Sequence, residues 1–360
     1  MSLTPLSASE LIAHLTEFDT IIDARSEAEY ALDHLPNAIN WPTLNNQERI
    51  EIGTLYKQVN PFEARKRGGF MAARNIATHI ERHVLDKPRD WKPLAYCWRG
   101  GQRSGSLSLV LSQIGFRVTL LEGGYKAFRA ALVEDTAQQV ARLNFKVICG
   151  PTGSGKTRFL HALSEQDAQV LDLEDLAKHR SSVLGAIPGL EQPTQKRFET
   201  LIWDKLRHFK SDKIVFVESE SKKVGNLSVP LSLMEKIRNS PCLNLQLNDE
   251  ERVALLLEDY SHMVCDVSYF CERLAVLIPL KGRAVVEAWQ KLARAGQFVP
   301  VVMDLLQQHY DPAYLQSMQR NFAQFTQMRM LTPDNRSVQA MHKLASCLLS
   351  KQGIGEPDHV

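Results

Sequence analysis

The stretch Phe145-Lys146-Val147-Ile148-Cys149-Gly150-Pro151-Thr152-Gly153-Ser154-Gly155-Lys156-Thr157 joins an apolar strand to a glycine-rich turn, and Arg158 to Leu163 continues it with a helix-like pattern. Strand, Gly-x4-Gly-Lys-Thr turn and helix, in that order, make a P-loop. Its glycines let the backbone wrap phosphates, Lys156 supplies a point charge, and Thr157 can hold Mg²⁺. The candidate phosphate-binding residues are Gly150, Gly153, Ser154, Gly155, Lys156 and Thr157. The acidic partner is less defined. Ile214 to Val217 is an apolar run ending at Glu218, and Asp172 and Glu174 compete for the same role. The motif marks a phosphate site, and both a nucleotide and a diphosphate on another substrate would satisfy it.

A second loop lies upstream, Tyr96-Cys97-Trp98-Arg99-Gly100-Gly101-Gln102-Arg103-Ser104. It places a thiol between a strand (Leu94 to Tyr96) and a helix whose apolar face is Leu107, Val110, Leu111 and Ile114. Backbone N–H groups in such a loop can form an anion nest, and the helix adds its positive N-terminus. Both favour a thiolate, the reactive form. Cys97 is the candidate catalytic residue. Arg99, Gly100, Gly101, Arg103 and Ser104 are candidates for holding an oxyanion, the arginines by forked hydrogen bonds. A cysteine phosphatase and a chalcogen-carrying rhodanese both use a loop of this kind.

Working outward, short strands are predicted at Thr20 to Ala24, Ala38 to Trp41 and Phe116 to Leu121, alternating with helical segments as in a parallel α/β sheet. Val133 to Arg142 reads as a linker helix. Further strands are predicted at Gln169 to Leu173 and Lys213 to Val217, and from Asp249 the chain reads mainly helical. At 360 residues, with 44% hydrophobic and 23% charged residues, the chain can bury more than one core. The net charge of +2 neither demands nor excludes a nucleic-acid partner. The N-terminus lacks the apolar core of a signal segment, and no apolar run reaches the length of a membrane span. The six cysteines fit no common zinc spacing. The expectation is a protein with reduced thiols in the cytoplasm, no membrane segment and no certain metal site.

Asp23-Ala24-Arg25, Glu29-Tyr30 and His34-Leu35-Pro36-Asn37-Ala38-Ile39-Asn40 resemble the N-terminal rhodanese signature, and Glu122-Gly123-Gly124-Tyr125 with Phe128 resembles the C-terminal one. Two departures stand out. Asp33 occupies a position where Gly is usual, and the Cys-to-Arg loop is one residue longer than the common rhodanese loop, which suits a tetrahedral donor. A rhodanese domain ahead of a P-loop domain, with Pro61-Phe62-Glu63-Ala64-Arg65, Ala73-Arg74-Asn75-Ile76-Ala77, Leu171-Asp172-Leu173-Glu174 with His179-Arg180, and Tyr310-Asp311-Pro312-Ala313-Tyr314, resembles the bacterial tRNA 2-selenouridine synthase family.

The resemblance implies an α/β protein with a rhodanese-like parallel-sheet domain (1–135), a P-loop NTPase-like domain core (136–250) and a mainly helical C-terminal region (251–360) packed on it. It implies a transferase that converts wobble 2-thiouridine of a tRNA anticodon loop to 2-selenouridine. Geranyl diphosphate would alkylate the sulfur, and selenium from selenophosphate, carried on Cys97 as a selanyl group, would displace the S-geranyl group. Selenophosphate and geranyl diphosphate are the implied co-substrates, Mg²⁺ is a candidate ion, use of a nucleotide is left open, and an enzyme supplying selenophosphate is a candidate partner. Arg65, Lys66, Arg67 and Arg74 are candidates for tRNA contact, the first three in a basic, glycine-rich segment (64–69) read as a phosphate-binding loop. Two other readings stay open: a sulfurtransferase or Cys-dependent phosphatase with a regulatory nucleotide domain, and an ATP-gated RNA-binding module.

Overall fold

A computed structural model describes residues 3–180 and 189–352 of the chain, which divide into two compact units. Unit 1 contains residues up to Gln139 together with Pro193–Arg207, and unit 2 contains Val140–Gln192 and the rest from His208.

Unit 1 is built on strands β1 (Leu3–Leu6), β2 (Thr20–Asp23), β3 (Ala38–Asn40), β4 (Pro93–Tyr96) and β5 (Val118–Leu121). They form a parallel sheet in the order β1-β5-β4-β2-β3. Alternation along the strands sends side chains to opposite faces. Ile21, Leu94 and Tyr96 join one apolar layer with Leu11, Phe128 and Trp203. Ile22, Ala95 and Cys97 join the other with Ile76, Leu107 and Leu111. Both faces of β4 are covered, so its four residues are all buried. The sheet thereby delivers Cys97 to the end of its most enclosed strand.

Trp203 comes from the helix Gln195–His208, far along the sequence from the rest of its layer. Asp33 is what receives that helix. It is 1% exposed and accepts hydrogen bonds from Tyr125 Oη (2.8 Å) and Thr200 Oγ1 (2.9 Å), with Arg129 and Arg197 at 3.8 and 3.9 Å. The Asp in place of Gly is thus a docking point. A partition at 135/136 by sequence gives no sign that a segment near residue 200 belongs with the first unit.

The segment 64–69 is corrected from a loop to a helix. Asn60 caps the helix Pro61–His83 by accepting from Phe62 N, and Pro61 suits its first turn. Gly68 and Gly69 lie inside it, Gly68 facing Ile52 of the preceding helix Asn46–Gln58. That hairpin is fastened by Glu48, which accepts from Arg74 (2.5 Å) and Asn75 (2.6 Å).

Unit 2 holds strands β6 (Asn144–Cys149), β7 (Gln169–Leu171), β8 (Ile214–Glu218), β11 (Cys242–Leu245) and β12 (Arg329–Leu331), parallel in the order β12-β11-β6-β8-β7; β9 (Lys223–Val224) and β10 (Leu227–Ser228) make a small separate ladder. The helix Lys156–Ser164 packs on this sheet through Phe159, Leu160 and Leu163, against Met341, Ala345 and Leu348 of the helix Val338–Gln352. A second apolar cluster, with Phe270, Leu274, Trp289, Val301 and Leu305, organises the helices between β11 and β12. The region after residue 250 is helical as expected, but it also supplies β12, which the sequence did not disclose.

Candidate functional site

In unit 1, Cys97 is 3% exposed and its Sγ accepts a hydrogen bond from Ser104 Oγ at 3.1 Å. Ser104 lies in the first turn of the helix Gln102–Ile114, which starts at Gly101 with no side-chain cap. Its leading N–H groups therefore remain available at the thiol loop, as anion binding requires. Gly100 has φ +66° and packs so closely that an added Cβ would lie 2.7 Å from the Leu121 carbonyl. Gly124 is tighter still, with an added Cβ 2.3 Å from the Cys97 carbonyl. Tyr125 N and Lys126 N donate to the carbonyls of Cys97 and Trp98 at 2.8 and 3.1 Å. The C-terminal signature thus forms a floor under the thiol loop.

The two arginines of this loop differ. Arg99 is exposed. Arg103 donates to Glu29 (2.6 and 3.4 Å), which also pairs with Arg49 at 3.0 Å. Burial raises the Glu29 carboxyl, but hydrogen bonding and charge from Arg103 outweigh it and hold the group below its usual range. Glu29 was legible as part of a signature, and its grip on Arg103 was not. Behind the loop, Asp23 receives Arg25 (Nε at 3.0 Å, Nη2 at 2.5 Å) and Tyr96 Oη (2.7 Å), and the Arg25 guanidinium lies 4.0 Å from the Tyr125 ring centre. This buried, paired network fixes the base of the loop.

In unit 2, β6 runs into Gly150 and the turn ends at Gly155, left-handed at φ +86°, before the helix Lys156–Ser164, again without a side-chain cap. Lys156 Nζ donates to the carbonyls of Gly150 (2.7 Å) and Pro151 (3.4 Å), arching over the loop. Tyr314 Oη accepts from Gly150 N at 2.6 Å. Arg252, 4% exposed, donates to the Thr152 carbonyl (3.0 and 2.8 Å) and to Asp311 (3.0 and 2.5 Å). Tyr314 and Asp311 belong to the motif at 310–314 quoted above, which had no assigned role; Arg252 carried no signal.

Glu218 ends β8 beside Ile148, next to the strand that feeds the P-loop. Its Oε1 accepts from the N–H groups of Leu173 and Glu174 (2.7 and 3.0 Å), while its buried Oε2 has no hydrogen-bond partner. Burial, then the neighbouring Asp172, Glu220 and Glu174, push its carboxyl well above the usual range. Asp172 caps the short helix that begins at Leu173 and stands 3.5 Å from His161 Nε2; burial raises it too. The two acidic candidates are therefore neighbours. Among the described residues, no group of three or more His, Cys, Asp or Glu is arranged to hold a metal ion, and no helix is long and apolar enough to cross a membrane.

The basic candidates are mostly engaged. Lys66 pairs with Glu63 (2.6 Å), Arg67 with Glu51 (2.6 Å) and Arg74 with Glu48, and Arg65 Nε donates to the Pro61 carbonyl (3.2 Å). Lys66 and Arg74 also lie over the exposed rings of Phe62 and Phe70.

A thiol at the head of a parallel-sheet unit and a phosphate loop on a second sheet define a rhodanese-like protein fused to a P-loop protein. Comparison with known proteins agrees: the family model "Rhodanese-like domain" matches residues 7–131 and the model "tRNA 2-selenouridine synthase AAA domain" matches residues 143–273. The chain belongs to the tRNA 2-selenouridine synthase family. Proteins with that name from Alcanivorax borkumensis and Nitrosomonas europaea are each 35% identical, over 67% of this chain and 66% and 63% of their own lengths. One from a Sulfurovum species is 30% identical over 84% of this chain and 89% of its own. The chain thus spans slightly under two thirds of the first two relatives.

Proposed function

We propose that this protein is a tRNA-modifying transferase that converts wobble 2-thiouridine to 2-selenouridine. The observation that carries the reading is the buried Cys97 Sγ, held by Ser104 before an uncapped helix N-terminus, in a chain whose curated relatives bear the synthase name. Geranyl diphosphate, seated by its diphosphate in the P-loop, is attacked at C1 by the thiocarbonyl sulfur; a C–S bond forms, the C–O bond breaks and diphosphate leaves. Selenophosphate, held at the Cys97 thiol and its loop, then attacks C2 of the base through selenium; a C–Se bond forms, the alkylated sulfur departs as a thiol, and hydrolysis of the Se–P bond releases phosphate and leaves the selenocarbonyl. A thiocarbonyl lacks so good a leaving group, which gives alkylation a chemical purpose.

Lys156 and the loop amides neutralise the departing diphosphate. Thr157 and Glu218 would hold a Mg²⁺ accompanying it, and the unpaired Oε2 of Glu218 fits such an ion. Arg65, Lys66, Arg67 and Arg74, with the rings of Phe62 and Phe70, form the proposed tRNA surface, since cations and exposed aromatics suit unpaired bases.

The test is nucleoside mass spectrometry of tRNA from a strain lacking the gene, complemented with variants. Cys97→Ser should lose 2-selenouridine and keep S-geranyl-2-thiouridine; Lys156→Ala should lose both. Selenation surviving in Cys97→Ser would overturn the role of the thiol.

A further inference from the structure

Beside the P-loop of unit 2 lies an apolar cleft that opens to solvent. Its walls include Leu256, Met263, Phe270, Phe298, Val302 and Leu305, drawn from four helices. Apart from Thr152 and two tyrosines, every lining side chain is hydrocarbon or thioether.

Thr152 belongs to the P-loop, so cradle and cleft share a residue. They are joined twice more. A Cβ on Gly153 would lie 3.1 Å from the Leu256 side chain, and Arg252, one turn before Leu256 on the same helix, donates to the Thr152 carbonyl. The apolar cleft therefore lies directly against the P-loop.

We propose that this cleft is the binding site for the hydrocarbon chain of a prenyl diphosphate whose head group occupies the P-loop. The proposal rests on the reading of the P-loop ligand given above and adds the tail's location and the ligand class it selects. A nucleotide is a poor occupant. Its base carries ring nitrogens and an exocyclic amine or carbonyl, and burying these in a lining that is mostly leucine, valine and phenylalanine is costly. A branched alkenyl chain has no such groups and gains from leaving water.

The experiment measures binding to the purified full chain by calorimetry. The probes are inorganic diphosphate, ATP, and dimethylallyl, geranyl and farnesyl diphosphates. The variants are Val302→Trp, which fills the cleft from a half-buried wall position, and Lys156→Ala. In the wild type, geranyl diphosphate should bind at least tenfold tighter than inorganic diphosphate, and ATP should show no such gain. Val302→Trp should cost at least tenfold for geranyl diphosphate and less than threefold for inorganic diphosphate. Lys156→Ala should weaken both.

Affinity independent of chain length in the wild type overturns the tail site, whether or not Val302→Trp folds. So does a Val302→Trp protein that binds geranyl diphosphate normally while Lys156→Ala does not; the P-loop reading then survives alone. Geranyl diphosphate binding unaffected by Lys156→Ala removes the P-loop reading itself, and the tail site with it.

Discussion

The hydroxyl of Tyr314 accepts a hydrogen bond from the amide of Gly150 at 2.6 Å, so the first N–H of the phosphate loop is satisfied by a side chain 164 residues later. Gly150 is buried and its amide has no water to turn to. Tyr314→Phe keeps the ring and removes the acceptor. An unpaired buried donor costs about 1–3 kcal/mol. Urea denaturation should show a loss of that size for Y314F; an unchanged midpoint would mean that the loop finds another acceptor.

Ser104 and Cys97 are coupled in the same sense. Ser104 Oγ donates to Cys97 Sγ, and such a bond to the anion through which a thiol is alkylated contributes about 1.5–3 kcal/mol, or roughly ten- to a hundredfold in rate. Ser104→Ala should therefore slow alkylation of Cys97 by iodoacetamide about tenfold or more, read by mass spectrometry of the Cys97 peptide. Ser104→Thr should recover most of the rate.

Gly124 cannot carry a side chain. It has φ +59°, and a methyl group there meets the Cys97 carbonyl at 2.3 Å and Gly100 N at 2.5 Å. Gly124→Ala should destabilise unit 1 by about 2–4 kcal/mol, in the upper range for single substitutions, and should also lower Cys97 reactivity. Gly101→Ala is the control for stability, because nothing lies within 4 Å of the place its methyl group would take.

Asp33→Ala strips two hydroxyl donors, Tyr125 and Thr200, of their acceptor and removes one carboxylate that faces Arg129 and Arg197, although Arg129 keeps Glu199. The expected cost is about 3–5 kcal/mol, the range for breaking a buried charged pair. Hydrogen exchange should show residues 195–207 opening before the rest of unit 1. Uniform loss of protection would deny Asp33 its docking role.

The stability of unit 1 should depend on His79. Its ring is stacked on Trp41 (5.8 Å, 9°), and its Nε2 is 3.1 Å from the Pro42 carbonyl. Burial lowers its pKa from 6.5 despite that carbonyl, and the charges of His83 and Arg82 act the same way as burial. The unfolded chain thus takes up its proton at higher pH than the folded one. Stability is complete above the unfolded value and is lost as pH falls toward the folded one. Urea midpoints should drop between about pH 7.5 and 5.5 in the wild type, and less steeply in His79→Gln.

Much of this was legible locally. The P-loop announces itself because glycine spacing, lysine and the preceding apolar strand are adjacent in sequence. Cys97 is equally plain, since strand, thiol and helix follow one another. Residues whose partners are distant were not legible. Glu29 finds Arg103, Asp33 finds Thr200, and Arg252 finds Thr152 only through tertiary packing. The basic run 64–69 misled for a different reason: its two glycines suggest a turn, but Asn60 and Pro61 start a helix and Ile52 packs against Gly68.

The placement of β12 has a consequence for how the protein is made. β6 and its P-loop begin the second sheet at residue 144, but the strand that covers the far side of β11 arrives about 185 residues later. At roughly 5–20 residues per second, the growing chain would spend about 4–17 s with that edge of β11 uncovered and about 9–35 s with the helix Lys156–Ser164 lacking its partner. A nascent P-loop unit is thus a long-lived, adhesive intermediate on the ribosome, and slowing translation between the two strands should cost soluble yield before it costs anything else.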